Sequence, residues 1–280
     1  GPGGAGGGGV MRLSVTSWSF PGLTLPEVAG LAKVLGLSAI DLGLFYRSAL
    51  DKAEVLADPR GAAERVRGLG VEVANYYHLF GDGLADRNLA RPGTVEANAR
   101  DLERVLEFAD AAGIGTVFVL PGIVNPGQSR EEAGRVAAES LRLLLDVPGA
   151  RERLCVEPHV HSWAESPGLV RRLVEETGVR LALDYAHFVC LGYRQEEVDP
   201  LAPFAAHVHL RQARPGALQA KFGQGTINFP ALFGTLRDAG YQGALALEAV
   251  HQDYMGTLHD DVLTETIAMR DAFNDWNRGA

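Results

Sequence analysis

The chain has few of the features that disulfide-rich or membrane proteins require. Only two of its 280 residues are cysteines, Cys155 and Cys190, too few for a disulfide framework. We therefore expect a reduced, cytoplasmic setting. No apolar run approaches the roughly 18 residues that cross a membrane, and we expect no cleavable signal peptide. The sequence predicts no membrane partner.

Positive charge is also scarce. The 26 Lys and Arg residues are outnumbered by 35 Asp and Glu residues, so the formal net charge is −9. This balance opposes binding to a phosphate backbone, and we expect no nucleic-acid partner. With 46% hydrophobic and 22% charged residues, the composition is that of an ordinary globular protein, and the length suits one large domain.

The first ten residues, GPGGAGGGGV, differ from the rest of the chain. Glycine-rich segments lack side chains that could join a core, and they behave as flexible coils. We interpret residues 1–10 as an expression-tag remnant and linker, and Met11 as the native start. Residues 11–280 are expected to form a single catalytic domain.

Short apolar runs typical of strands alternate along the chain with stretches in which apolar residues recur every three or four positions, as in helices. The predicted strands are 13–16, 39–42, 72–76, 116–120, 154–157, 181–184, 207–210 and 244–248. The predicted helices are 25–35, 62–68, 95–112, 130–145, 168–176, 229–239 and 258–276. After the sixth strand, Pro200 and Pro203 interrupt any long helix.

Eight strand–helix units predict a single-domain (β/α)8 TIM barrel. The main alternative is a doubly wound open sheet. Such a sheet usually has a glycine-rich phosphate turn after its first strand, and the segment SWSFPG at 17–22 is not one.

Four strands in the C-terminal half end in an acid or an imidazole: Glu157, Asp184, His209 and Glu248. Side chains alternate between the two faces of a strand, so Asp184 shares its face with Ala182, opposite Leu181 and Leu183. The other two acids follow the same pattern. Bulky residues would then pack against the helices. The four candidates would point into the barrel at its carboxyl end, where barrel active sites are built.

Three inward carboxylates would repel one another without a cation. A single acid at a strand end is usually a helix cap or a solvated loop residue. Four such residues on one face and at one level are much harder to attribute to chance. Oxygen-rich ligation with one imidazole suits a single divalent ion, Mn²⁺ by preference, with Mg²⁺, Co²⁺ and Zn²⁺ as alternatives.

Five segments carry a resemblance to a known family: VEPH at 156–159, LDYAHF at 183–188, HVHLR at 207–211, GQGTINFPALFGTL at 223–236 and LALEAV at 245–250. The chain resembles the xylose isomerase-like TIM barrel superfamily, in the sugar phosphate isomerase/epimerase group that contains ketose 3-epimerases and inosose dehydratases. The resemblance implies that Glu157, Asp184, His209 and Glu248 bind one divalent metal. It also implies that His187 contacts the substrate, as does an arginine after the seventh strand, with Arg211 and Arg214 as candidates.

The chain departs from this family at two positions. Many relatives carry an acid where Gln212 lies, and many read GEGxID where this chain has Gln224 in GQGTIN. Both changes remove an acid near the mouth of the expected site. They weaken the analogy to the known substrates, although not to the metal ligands.

The expected chemistry follows from the resemblance and the metal set. It implies an isomerase or epimerase that acts on a ketose or related keto-polyol by proton abstraction through a metal-bound ene-diolate. Glu157 and Glu248 are the predicted catalytic residues, one removing the proton and the other returning it from the opposite face. Expulsion of a β-hydroxyl instead would make the protein a dehydratase or lyase acting on an inosose or keto-sugar. Homodimers and homotetramers are common among such relatives.

Other candidates lie near the ends of further strands. Trp18, His78 and His159 are predicted substrate contacts, although Trp18 could instead pack at the rim and His159 could be solvated. His207 shares the inward face of His209 at a deeper level, so we expect it to be buried and hydrogen-bonded. Lys221 precedes a helix start where a phosphate could bind, or it is simply solvated.

Two functions of other classes remain as alternatives. The loss of acids at Gln212 and Gln224 is compatible with a non-catalytic sugar-binding barrel. Apurinic endonucleases share the barrel and the D-x-x-H pattern of Asp184 and His187. However, the fourth strand ends in LPG without the histidine that their three-zinc cluster needs, and the acidic charge opposes DNA binding.

Overall fold

Eight parallel strands form a closed barrel surrounded by helices in the computed structural model, which describes residues 10–250 and 261–280. The strands are β1 Arg12–Thr16, β2 Ala39–Leu42, β3 Glu72–Tyr77, β4 Thr116–Val119, β5 Leu154–Val156, β6 Arg180–Asp184, β7 Ala205–Leu210 and β8 Ala244–Leu247. They are hydrogen-bonded in chain order, and β1 pairs with β8 to close the ring, with Leu13 opposite Leu245. The predicted TIM barrel is confirmed.

Helices follow the strands and form the outer layer. They are α1 Leu25–Val34, α2 Lys52–Ala57, α3 Pro59–Arg67, α4 Val95–Ala112, α5 Arg130–Leu144, α6 Ala150–Arg153, α7 Pro167–Thr177, α8 Tyr185–Val189, α9 Gln195–Val198, α10 Phe229–Asp238 and α11 Val262–Gly279. Local chemistry explains their ends. Thr24 and Glu27 form a reciprocal capping box at the start of α1. Gly113 ends α4 in the left-handed region at φ 72°.

Strand alternation separates two apolar regions, as predicted. Leu181 and Leu183 belong to the large core between the strands and the helices. The barrel interior instead contains a cluster made of Trp18, Tyr77, Phe118, Cys155, Ala182 and Val250. Below it lies a small layer of Ala39, Ala74 and Ala244. The aromatic residues of the interior cluster thus pack beneath the side chains at the carboxyl ends of the strands.

Several predicted boundaries were wrong by a few residues. Glu157 and Glu248 lie one residue beyond β5 and β8, although their N–H groups still donate to Val119 and Leu210 of the neighbouring strands at 3.0 and 2.8 Å. Helix α3 begins at Pro59, earlier than predicted, because the Asp58 side chain accepts from the Gly61 N–H.

Other helices differ from the prediction in kind. The short helices α2 and α6 were not predicted. The interrupted segment after β6 forms α8, α9 and a 3₁₀ helix, Asp199–Phe204. The last predicted helix began at Leu258, which lies outside the described residues, and the structure shows α11 from Val262 onward. The interpretation of residues 1–9 likewise falls outside the described residues. Within the described part, none of the helices combines the length and apolar character of a membrane span.

Candidate metal centre

Four side chains from four consecutive strands meet at the carboxyl end of the barrel. They are Glu157 after β5, Asp184 at the end of β6, His209 in β7 and Glu248 after β8. One donor atom from each of them lies within 4.8 Å of all the others. All four are buried, and Asp184 is 0% exposed. We call this set the four-donor cluster. These are the four residues predicted from the sequence, and the fold brings them together.

Asp184 shows how local structure leaves a ligand atom available. Its Oδ1 accepts a hydrogen bond from the Ala186 N–H at 2.9 Å and caps the short helix α8. Its Oδ2 is buried and has no hydrogen-bond partner in residues 10–250 or 261–280. A buried carboxylate oxygen without a partner is costly, which fits a site that accepts a cation.

His209 lies between two carboxylates. Its Nδ1 is hydrogen-bonded to Glu157 Oε2, whereas its Nε2 faces Asp41 Oδ2 at 3.7 Å. Asp41, on β2, is fully buried and in turn binds His207 Nε2 at 2.6 Å. His207 is therefore buried and hydrogen-bonded, as expected. Asp41 was not predicted as a site residue, although alternation with the inward Ala39 of the same strand would have placed it inside the barrel.

Glu248 is held by two donors. The Trp18 indole N–H donates to Oε2 at 2.8 Å, and Arg211 Nη2 donates to Oε1 at 2.6 Å. Trp18 also packs edge-on against His209, with ring centroids 6.1 Å apart. Its indole thus supports two members of the cluster.

His187 can be assigned a tautomer from its contacts. The Val160 N–H donates to His187 Nδ1 at 3.2 Å, so Nδ1 is an acceptor and the neutral ring carries its proton on Nε2. Burial, followed by the charge of Arg211, holds the pKa of His187 well below its usual value, which keeps the ring neutral. Nε2 lies 3.6 Å from Asp184 Oδ2 and 3.9 Å from Glu157 Oε1. His187 therefore presents an N–H to the cluster.

The structure distinguishes the two candidate arginines. Arg211 is 6% exposed and lies against the cluster, with its Nε 3.7 Å from Asp184 Oδ2. Arg214 is exposed on the loop beyond β7, where its backbone pairs with Ala217. Only Arg211 is buried among the carboxylates.

The other predicted contacts lie farther around the rim. His78 and His159 both line a small cavity of about 20 Å³, enough for about one water molecule. Burial lowers the pKa of His78 to about 3, and neither of its ring nitrogens has a partner in the described part of the chain. His159 is half-buried, and its Nδ1 lies 2.6 Å from the Val160 carbonyl oxygen. Lys221 is exposed.

Gln212 has a structural environment that the sequence did not reveal. Its Nε2 donates to the carbonyl oxygens of Phe222 and Ile227, each at 3.1 Å, and its Oε1 accepts from the N–H groups of Ala213 and Ile227, each at 3.0 Å. The side chain thus ties the loop after β7 to the start of α10. Gln224, by contrast, is exposed. The two departures from the family pattern therefore have different surroundings.

The cluster is electrostatically unbalanced in a way that favours a cation. Burial, partly offset by Arg211, raises the pKa of Asp184 to about 8. Burial also opposes a charged His209, but Glu248 and Glu157 outweigh it and raise the pKa of His209 well above its usual value. In the absence of a cation, the negative charge of the three carboxylates is therefore offset by protons on Asp184 and His209 and by the guanidinium of Arg211. A divalent ion could replace the protons, and the set of three carboxylates and one imidazole fits such an ion.

The fold and the cluster define the class of protein. The sequence profile of the xylose isomerase-like TIM barrel family matches residues 30–270, so the chain belongs to that family. A human protein named provisionally as a hydroxypyruvate isomerase is 26% identical over 266 residues, which cover 85% of this chain and 89% of the relative.

Solved structures share the fold at lower identity. The apo form of a 3-keto-D-glucoside 4-epimerase from E. coli is 17% identical, with a TM-score of 0.70 over 95% of this chain and 99% of that one. The IolI protein with a bound zinc atom is also 17% identical, with a TM-score of 0.70 over 95% of this chain and 98% of that one. At this identity the likeness shows the barrel alone.

Proposed function

We propose that this protein is a divalent metal-dependent isomerase that moves a proton between adjacent carbons of a short hydroxy-oxo sugar or sugar acid. The main support is the four-donor cluster, whose donor atoms lie within 4.8 Å of one another at the carboxyl end of the barrel. Membership of a family whose relatives include isomerases and epimerases supports the same reaction class.

Glu157, Asp184, His209 and Glu248 would hold the cation. Mn²⁺ suits this oxygen-rich set best, with Mg²⁺, Co²⁺ and Zn²⁺ as alternatives. When bound, such an ion polarises a substrate carbonyl and makes the adjacent C–H more acidic.

Glu157 is the better candidate for the base. One of its oxygens binds His209, whereas Oε1 lies 3.9 Å from His187 Nε2, beyond hydrogen-bond distance. Both oxygens of Glu248 accept hydrogen bonds. Although burial raises its pKa, Arg211 and His209 outweigh burial and lower it. A single base that carries a proton between neighbouring carbons performs isomerisation.

Epimerisation is the second candidate. It needs two bases on opposite faces of one carbon, and of the two glutamates only Glu157 has an oxygen free of hydrogen bonds among the described residues. Glu248 could serve as the second base only if its hydrogen bonds to Trp18 and Arg211 were exchanged for the substrate. Those bonds are short, at 2.8 and 2.6 Å. This asymmetry between the two glutamates favours isomerisation.

His187 and Arg211 would orient the substrate. The His187 Nε2–H can donate to a hydroxyl or carbonyl oxygen near the cluster without changing charge. The buried Arg211 guanidinium, whose Nε has no hydrogen-bond partner among the described residues, presents the planar donor pattern that matches a carboxylate. The human relative is named for hydroxypyruvate, which carries a carboxylate.

We also infer a reducing, cytoplasmic location, because Cys155 and Cys190 are both buried free thiols that form no disulfide. A homodimeric or homotetrameric assembly stays a prediction, as do the substrate contacts of Trp18, His78 and His159. Of the two candidate arginines we propose the buried Arg211 rather than the exposed Arg214.

The proposal is tested with Mn²⁺-loaded protein, hydroxypyruvate and a panel of ketoses in D₂O, followed by NMR. We expect interconversion with deuterium in the carbon-bound position, because the abstracted proton exchanges with solvent. Interconversion without deuterium would indicate a hydride shift, and loss of water would indicate a dehydratase. Failure of the loaded protein to convert any substrate would contradict the proposal.

A variant of the base sharpens this test. Glu157→Gln should lower kcat by about 10²- to 10⁴-fold, the usual contribution of a positioned base. Glu165→Gln is the matched control, because Glu165 pairs with Arg130 outside the cluster. Equal activity of the two variants would remove Glu157 from the mechanism.

A further inference from the structure

A buried chain of hydrogen bonds lies directly beneath the four-donor cluster. Ser14 Oγ donates to Asp41 Oδ1 at 2.6 Å, and His207 Nε2 lies 2.6 Å from Asp41 Oδ2. Ser14 and Asp41 are 0% exposed, and His207 is 1% exposed. The chain joins β1, β2 and β7 across the interior of the barrel, far from solvent.

Asp41 also faces a member of the cluster. His209 Nε2 lies 3.7 Å from Asp41 Oδ2, and it is a buried nitrogen that has no hydrogen-bond partner within the described ranges. A shift of about 0.8 Å would bring the two atoms to hydrogen-bond distance. Asp41 is therefore placed to accept a hydrogen bond from the His209 Nε2–H.

The orientation of His209 determines what its contact with Asp41 can do. Its Nδ1 faces the Glu157 carboxylate and the rest of the cluster. An imidazole that binds a cation through Nδ1 must carry its proton on Nε2, and the partner of that N–H fixes both the tautomer and the ring orientation.

We propose that Asp41 is a positioning residue for the metal site: it holds His209 as the Nε2–H tautomer, so that Nδ1 is the ligand atom, while Ser14 and His207 hold Asp41 in place. This inference rests on the proposed metal-dependent function and extends it. It assigns a role to an aspartate that lies outside the four-donor cluster.

A different role for the same residues is a second cation site, since Asp41, His207 and His209 also bring donor atoms within 4.8 Å of one another. The hydrogen bonding disfavours it. Both oxygens of Asp41 already have partners, Ser14 Oγ and His207 Nε2, each at 2.6 Å. In the four-donor cluster, by contrast, Asp184 Oδ2 has no hydrogen-bond partner among the described residues.

Isothermal titration of metal-free protein with Mn²⁺ or Zn²⁺ tests the proposal. We expect one ion per chain for the wild type. We expect about 10- to 100-fold weaker binding for Asp41→Asn, the usual effect of removing a partner of a ligating histidine. Asp101→Asn is the matched control, since it makes the same chemical change at an aspartate of α4 that pairs with Arg87 outside the cluster, and its affinity should equal that of the wild type. Two ions per chain, or unchanged affinity in Asp41→Asn, would overturn the proposal.

A second measurement does not depend on whether the variant folds. ¹⁵N NMR of histidine-labelled wild-type protein, loaded with Zn²⁺, should show His209 protonated at Nε2 and metal-bound at Nδ1. The opposite tautomer would overturn the role of Asp41 while leaving the metal site intact. A wild-type protein that binds no divalent ion would overturn the proposed function itself. The two failures are therefore distinguishable.

Discussion

At the scale of single residues, Arg211 and Arg214 illustrate how neighbours in sequence acquire different surroundings. Arg211 is buried and donates to Glu248 at 2.6 Å, whereas Arg214 is exposed. Arg211 supplies the one buried guanidinium among the carboxylates of the cluster in the described structure. The charge balance of the site therefore depends on this residue.

The substitution Arg211→Lys should lower kcat/KM by about 10- to 100-fold. A lysine keeps the charge but lacks the planar donor pattern, and a lost hydrogen bond to a charged group costs about 1.5–3 kcal/mol. Steady-state kinetics of the metal-loaded enzyme measure this. Arg214→Lys is the control and should leave the kinetics unchanged. Equal losses in the two variants would show that the burial of Arg211 is irrelevant to the reaction.

The affinity for a divalent cation should rise with pH through about 8. In metal-free protein, burial raises the pKa of Asp184 to about 8, and neighbouring carboxylates raise the pKa of His209 against the opposing effect of burial. Below these pKa values a cation must displace protons, and above them it does not.

Titration calorimetry at pH 6, 7 and 8.5 measures this pH dependence. Comparing buffers with different ionisation enthalpies gives the number of protons released. We expect stronger binding and fewer released protons at the highest pH. Affinity that is constant or falls over this range would contradict the raised pKa of Asp184.

At the scale of elements, the loop between β7 and α10 depends on one side chain. Gln212 is 3% exposed, and it bonds to the backbone of Ala213 at the start of this loop and of Ile227 at its end. A Cβ at Gly225 would lie 2.2 Å from the Gln212 side chain, so the two positions fit only while residue 225 is glycine. The position that departs from the family pattern thus shapes the rim of the site.

Gln212→Ala should lower the free energy of unfolding by about 1–3 kcal/mol, because it leaves buried backbone groups without partners. Gln224→Ala changes the same residue type at an exposed position of the same loop and should have little effect. Urea denaturation of both variants compares them. A smaller loss for Gln212→Ala than for Gln224→Ala would refute the structural role of Gln212.

At the scale of the whole molecule, the cluster joins parts of the chain that are far apart in sequence. Its four members lie at or just after the carboxyl ends of β5, β6, β7 and β8, and the Trp18 indole adds the β1 end of the barrel. A bound cation would therefore connect half of the barrel strands at one point. Binding should stabilise the fold as a unit.

Mn²⁺ at 100 times Kd should raise Tm by about 5 °C. Binding at that concentration adds about 2.7 kcal/mol to the free energy of unfolding, and in a chain of this size each kcal/mol raises Tm by about 2 °C. Differential scanning calorimetry measures the shift. Excess EDTA should reverse it, and Glu165→Gln should retain it, because Glu165 lies outside the cluster. An unchanged Tm in wild-type protein with saturating Mn²⁺ would contradict binding to the folded barrel.

Element types were predictable because periodicity is a local property. Helix α4 was predicted with its observed bounds, 95–112, since Gly113 provides a strong stop signal. The short helices α2 and α6 were missed, because six and four residues are too few to show a helical period. The predicted ends of β5 and β8 were one residue too late, at Glu157 and Glu248, whose N–H groups continue the hydrogen bonding beyond the strands.

The sequence by itself determined the alternation of strands and helices, the inward face of the four C-terminal strands, and hence the four members of the cluster. These features depend on residues that are neighbours along the chain. Only the tertiary structure decided that Asp41 faces His209, that Trp18 donates to Glu248, and that Arg211 rather than Arg214 is buried. The Trp18–Glu248 bond joins residues 230 positions apart. Alternation specifies the face from which a side chain projects, but its partner depends on how the closed barrel brings opposite strands together.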